Sequence, residues 1–234
     1  MARPSGAKGL TGPPFYEGLR RRIEREEFDY QMLLDALQNY SQPRDKISDL
    51  LGKSVIVRVK KGLYVFGEAF RKRPFSRELL ANLIHGPSYI SLEYALQFHG
   101  LIPERVETVT SVILGRSRAF VTPVGRFTFR RIPRKAFPIG MSRVEGEAGI
   151  AFLMAVPEKA LSDYLAADRG GRIQSEKELG SYLLNSLRLD PAALVRFDSN
   201  LVEKIADAYG SRKIRIFARY LKRLSKIHRE DSRA

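Results

Sequence analysis

The hydrophobic spacing changes period along the chain. In DYQMLLDALQN, Tyr30, Leu33, Leu34 and Leu37 fall at i, i+3, i+4 and i+7, the single apolar stripe of an amphipathic helix. PRDKISDLL predicts a second helix, with Pro43 at its first position, Ile47, Leu50 and Leu51 on its inner side and Gly52 at its end. The period then drops to two. Val55, Val57 and Val59 alternate with Ile56, Arg58 and Lys60, KKG makes a tight turn at Gly62, and LYVF returns, which predicts a hairpin with a cationic tip. A short charged helix over residues 15–27 precedes these elements.

Two helices joined by a short turn and followed by a basic hairpin is the order of a winged helix-turn-helix, whose second helix enters the major groove while the wing touches backbone or minor groove. On that reading Arg44, Lys46 and Ser48 face DNA from the second helix, and Lys53, Arg58, Lys60 and Lys61 face it from the wing region. Residues 43–73 hold nine Lys and Arg against three acids. Asp45 and Asp49, on the same short helix, would repel phosphate.

EAFRKRPF reads as a linker, and Ser76 caps a helix reaching Ile84. GPSYISLEYALQFHGLIPE, residues 86–104, reads as one helix opened by Pro87 and Ser88. Strands follow in VETVTSVIL, RAFVTPV, RFTFRRI and EAGIAFLMA, then helices from VPEKALSDYLAAD onward. The expected organisation is a disordered tail over 1–14, a winged helix-turn-helix over 15–73 and a C-terminal domain over 74–234. The fold class is α+β, a mixed α+β second domain ending in a helical, basic segment.

Charge sharpens the picture. The 234 residues include 41 Lys and Arg against 26 Asp and Glu, a net charge of +15, which favours a polyanionic partner. Stepped at ~100° per residue, Arg212, Arg215, Arg219, Lys222, Arg223, Lys226 and Arg229 fall within about a third of the last helix's circumference, opposite Phe217, Tyr220, Leu221, Leu224 and Ile227. Lys213 is the exception. Residues 115–135 hold seven Lys and Arg and no acid. There Arg116, Arg118, Arg126 and Arg130 make a basic surface, while Phe127 and Phe129 share the opposite strand face.

Catalytic signatures are sparse. The absence of cysteine removes thiolate nucleophiles, disulfides and Cys-ligated zinc. His85, His99 and His228 fit no metal pattern, and Glu93 and His99, six apart, sit ~240° from one another on a helix. Glu158, Lys159 and Asp163 form an acid–Lys–acid cluster that could serve a metal-dependent nuclease. Glu158, however, lies in a first helical turn, where the macrodipole favours a carboxylate in any protein. No cofactor and no metal are expected. No apolar run approaches the ~18 residues of a membrane span, and no apolar leader opens the chain, so a cytoplasmic protein without membrane contact is expected.

RVKKGLYVF, GPSYISLEYALQFHGLIPE, a strand run ending in FPIG, and VPEKALSDYL occur in that order over roughly residues 29–167. In this the chain resembles the AbiEi antitoxins of type IV (abortive-infection) toxin–antitoxin systems. The resemblance implies an N-terminal winged helix-turn-helix that binds inverted repeats in its own promoter, and a C-terminal domain that carries antitoxicity and adds DNA contacts. It also implies a nucleotidyltransferase-fold toxin, countered without a stable complex. Arg44, Lys46 and Ser48 would lie on the recognition helix, and Lys60 and Lys61 on the wing. Tyr89, Ser91, His99, Glu158, Lys159 and Asp163 match motif positions as framing polar contacts rather than catalytic ones, so the protein is not expected to be an enzyme. Two alternatives stand beside this: an antitoxin acting through its basic C-terminal domain on RNA or a protein partner, and a nuclease using Glu158 and Asp163.

Overall fold

The computed structural model describes residues 13–168 and 173–231; of the tail expected over 1–14, residues 1–12 lie outside it, and Pro13 and Pro14 open a helix. The chain forms two compact units, one running to Ser76 together with Thr122–Val124, the other comprising Arg77–Val121 and Gly125 onward. Both are mixed α+β.

The N-terminal unit contains α1 (Pro13–Arg22), β1 (Glu27–Asp29), α2 (Tyr30–Ala36), α3 (Pro43–Gly52), β2 (Ile56–Lys60) and β3 (Leu63–Phe66). The helix expected over 15–27 therefore stops early. Glu27–Asp29 instead pairs with Leu63–Val65, making a three-stranded antiparallel sheet in the order β1-β3-β2. Asp29 ends β1 and caps α2, its Oδ1 accepting from the Met32 N–H at 2.8 Å. The hairpin turns at Gly62, whose φ of +85° suits a residue without Cβ, and its register shifts between Arg58 and Lys60. Gly52 closes α3, but Ser54, at φ +54°, takes the left-handed conformation. Phe15, Leu19, Ile23, Phe28, Leu33, Leu37, Ile47, Leu50, Val55 and Phe66 fill one core.

The C-terminal unit opens with α4 (Arg77–Ile84), β4 (Ser88–Ile90), α5 (Leu92–Phe98), β5 (Val109–Ile113), β6 (Arg118–Thr122), β7 (Gly125–Arg131), β8 (Met141–Glu145) and β9 (Ala151–Ala155). It closes with α6 (Pro157–Ala167), α7 (Glu176–Ser181), α8 (Pro191–Val195), α9 (Ser199–Tyr209) and α10 (Arg212–Asp231). Its six-stranded sheet runs β6-β7-β5-β4-β9-β8. The β4/β9 and β5/β7 pairs are parallel, and the β4/β5 and β8/β9 pairs are antiparallel.

The single helix expected over residues 86–104 is corrected to a strand and a shorter helix. SYI is central in the sheet, between β5 and β9, and all three residues are buried. A strand buried on both faces shows no alternation, so its apolar run is indistinguishable from that of a helix. β8 was not expected either. Among the described residues no helix is long and apolar enough to cross a membrane.

Between β7 and β8 the chain passes directly over α6. Gly140, at φ +73°, lies so close that a Cβ there would stand 2.7 Å from the Lys159 Cβ. Gly140→Ala should therefore lower stability by about 1–3 kcal/mol, through both backbone strain and the clash, a loss readable as an earlier urea midpoint.

Candidate functional site

The N-terminal cations divide into free and engaged groups. Arg44, Ser48, Arg58 and Lys61 are exposed. Ser48 Oγ donates back to the Arg44 carbonyl at 3.2 Å, and the Arg58 guanidinium lies 5.9 Å from the Tyr64 ring centre. Among the described residues no carboxylate pairs with Arg44, Arg58 or Lys61.

Lys46 departs from the expected DNA-facing role. It is only 9% exposed, its ammonium 4.2 Å from the centre of the Phe15 ring and 3.4 Å from Asp49 Oδ2. Docking of α1 beneath α3 draws the lysine inward, where the ring face and carboxylate replace water. Lys53 is exposed but tied to Asp49 Oδ1 at 2.7 Å. That hydrogen bond holds the Asp49 carboxyl below its usual range and the Lys53 ammonium above its own. Asp49 thus clasps two lysines instead of repelling phosphate. Lys60 is half-buried, and desolvation lowers its pKa.

In the C-terminal unit α10 is amphipathic as expected, with Ile214, Ile216, Phe217, Ala218, Tyr220 and Leu221 buried and Arg212, Arg215, Arg219, Lys222, Arg223 and Lys226 exposed. Ile227, expected on the docked side, is 47% exposed, because the helix runs past the body that covers its earlier turns. The side chain of Arg229 lies outside the described residues. Most of this face is compensated by its own chain. Arg215 meets Asp207 at 3.5 Å, Arg219 and Arg223 meet Glu176 at 3.8 and 3.5 Å, and Lys222 meets Glu203 at 2.6 Å. The off-face Lys213 reaches Asp168 Oδ2 at 3.6 Å.

The other basic segment is organised differently. Arg116, Arg118, Arg126 and Arg130 are exposed, while Phe127 and Phe129 are buried. Arg131 and Arg134, also exposed, join them. None of these six pairs with a carboxylate among the described residues.

Beneath this segment lies a buried polar cluster. Lys159 and Asp163, one helical turn apart on α6, form an ion pair with both side chains fully buried. Asp163 also accepts from Ser91 Oγ at 2.7 Å and from the Tyr209 hydroxyl. Ser91 is fixed in turn. Its N–H donates to the Thr110 carbonyl at 3.0 Å, and its own carbonyl accepts from Thr110 Oγ1 at 2.6 Å. The next residue, Leu92, holds φ +61° with its side chain buried. Burial pushes the Lys159 pKa down against the pull of Asp163, and pushes the Tyr209 and Tyr89 hydroxyls up, with the Asp163 charge adding to both.

Two further motif positions tie elements together. His99 Nε2 lies 2.8 Å from the Ala155 carbonyl, tying the end of α5 to β9. Glu158 Oε1 accepts from the Asp198 N–H at 3.0 Å, joining α6 to the start of α9. Glu158 and Asp163 therefore serve separate partners, and among the described residues no three His, Cys, Asp or Glu side chains are grouped to hold a metal.

A cleft of about 270 Å³ opens where the end of β7 faces the C-terminal half of α6, with Ser117, Arg130, Arg131, Ala166 and Ala167 on its walls and Asp163 and Tyr209 at its floor. Arg131, Ile132 and Arg134 continue into a wider recess of about 570 Å³. Arg131 escapes a pattern reading, because alternation along β7 assigns it to the core face of Phe127 and Phe129. The strand ends there, and the side chain is released.

No protein-family model matches the chain, and no curated protein matches it.

Breaking the buried pair from one side should be costly. Asp163→Asn leaves the Lys159 ammonium uncompensated and should cost about 3–5 kcal/mol, whereas the double change Lys159→Met/Asp163→Leu should cost less than the two single changes added together. Urea denaturation of the parent, Asp163→Asn, Lys159→Met, Asp163→Leu and the double variant checks this.

Proposed function

We propose that the chain is a DNA-binding autorepressor and antitoxin of a type IV toxin–antitoxin system, acting against a nucleotidyltransferase-fold toxin and reading DNA through an N-terminal winged helix-turn-helix. The observation that carries the reading is the N-terminal unit. There α2 and α3 are followed by the β2–β3 hairpin, with Arg44 on the one and Arg58 and Lys61 on the other exposed and without a carboxylate partner among the described residues. Uncompensated cations on a helix and an adjoining hairpin suit a phosphate backbone, and Ser48 on the same helix can reach a base edge. The family resemblance of the motifs over roughly residues 29–167 supplies the antitoxin half. A second reading, in which the C-terminal unit neutralises the toxin through RNA or a protein partner, draws on the unpaired arginines at 116, 118, 126 and 130, and less on α10, whose cations are largely engaged.

In a gel-shift assay on the DNA upstream of its own coding sequence, the protein should bind, and binding should weaken steeply with salt. Arg44→Ala, Arg58→Ala and Lys61→Ala should each lower the slope of log affinity against log salt by about 1 for every phosphate that the variant no longer neutralises. Lys46→Ala should act through stability instead. Unchanged binding by the triple variant Arg44→Ala/Arg58→Ala/Lys61→Ala would falsify the assigned surface. Co-expression with a nucleotidyltransferase encoded beside it tests the antitoxin half, which growth rescue supports.

A further inference from the structure

We propose that the cleft between the end of β7 and the C-terminal half of α6 binds a small nucleoside phosphate, its phosphate held by Arg130, Arg131 and Ser117 and its nucleoside lying against Tyr209. This does not rest on promoter binding, and failure of either reading leaves the other standing.

Adjacent residues of a strand normally point to opposite faces. Arg130 and Arg131 nevertheless line one recess, because β7 ends at Arg131. Arg134 lines its extension. Three guanidiniums within five residues, with no carboxylate among the described residues to compensate them, repel one another until an anion enters. On α10, by contrast, Arg215, Arg219, Lys222 and Arg223 are each compensated by a carboxylate of the same chain. A guanidinium offers a planar fork of donors that fits phosphate oxygens bidentately. Ser117 adds a further donor. Its Oγ already accepts the Arg131 N–H at 2.9 Å, leaving its own proton free to turn to a ligand.

The floor does not oppose an anion. Asp163 is neutralised by Lys159 and covered by the Tyr209 hydroxyl that donates to it. Ala166 and Ala167 keep the α6 wall low, and the half-buried Tyr209, with the Lys159 ammonium 4.8 Å from its ring centre, lines the floor; a base or sugar would lie against the part of the ring that meets the cleft. The cleft of about 270 Å³ and its wider extension suit a mononucleotide. A duplex is too wide to enter a recess of this size and would meet only its rim.

Equilibrium dialysis of the full chain against AMP, adenosine and inorganic phosphate tests the proposal. AMP should bind at one site per chain, about tenfold or more tighter than adenosine or inorganic phosphate, and Arg130→Ala/Arg131→Ala should weaken it about tenfold or more. Ala166→Leu, which fills the recess without changing charge, should weaken it as well. Arg118→Ala, outside the cleft, should not. All four positions are exposed, so the variants should keep the parent's urea midpoint. The proposal is overturned by equal binding of adenosine or phosphate, by an Ala166→Leu variant that binds as the parent does, or by no binding of AMP, GMP, CMP or UMP at millimolar concentration. It is also overturned if a short DNA duplex displaces AMP and Arg118→Ala weakens both alike, which would mark a diffuse polyanion surface.

Discussion

A lysine ammonium buried beside a carboxylate sets the terms for the C-terminal unit. Each ion costs several kcal/mol to desolvate, and their mutual attraction offsets this only if the remaining donors and acceptors are satisfied. Asp163 meets the condition by drawing one partner from each of three places: Lys159 on its own helix, Ser91 at the β4–α5 junction and Tyr209 at the end of α9. Features that look unrelated follow from it. Ser91 is held by two hydrogen bonds to Thr110, and its neighbour Leu92 takes a backbone conformation that a bulky residue rarely adopts. Gly140 is a glycine because the chain crosses directly over the Lys159 stem. The node joins sheet and helices at one point, and that point is the floor of the arginine-lined cleft.

The N-terminal unit depends on the same rule in a milder form. Lys46 gives up water for the face of Phe15 and the carboxylate of Asp49, and Asp49 also holds Lys53. Two acids on α3 weighed against phosphate contact when only the chain was considered. One of them turns out to organise neighbouring lysines, and the net charge presented outward comes from fewer residues than the composition implies.

How much of this could be read from the chain depends on periodicity. The β2–β3 hairpin, α2, α3, α6 and α10 were legible because a period of two or of 3.6 runs through each, with Gly62, Pro43 and Pro157 marking turns and starts. β4 was not, since a strand buried on both faces carries no alternation. β1 and β8 were missed for other reasons, the one being three residues long and the other an edge strand rich in polar side chains. At the sites, spacing located Arg130, and it also separates Lys159 from Asp163 by one helical turn. Burial was invisible: nothing in VPEKALSDYL says that both charges lie in the interior, and nothing in PRDKISDLL says that α1 will fold beneath Lys46. Those facts belong to tertiary packing, which a local pattern does not encode.

The paired cations of α10 bear on how the protein behaves in a crowded, charged medium. A polyanion approaching that face meets arginines and a lysine already occupied by Asp207, Glu176 and Glu203, so association there is an exchange of partners rather than the filling of vacancies. The formal charge of +15 therefore overstates the field along this helix. Such a surface can stay close to nucleic acid without adhering to it, while the unpaired arginines at the end of β7 keep their full pull for whatever fits between them.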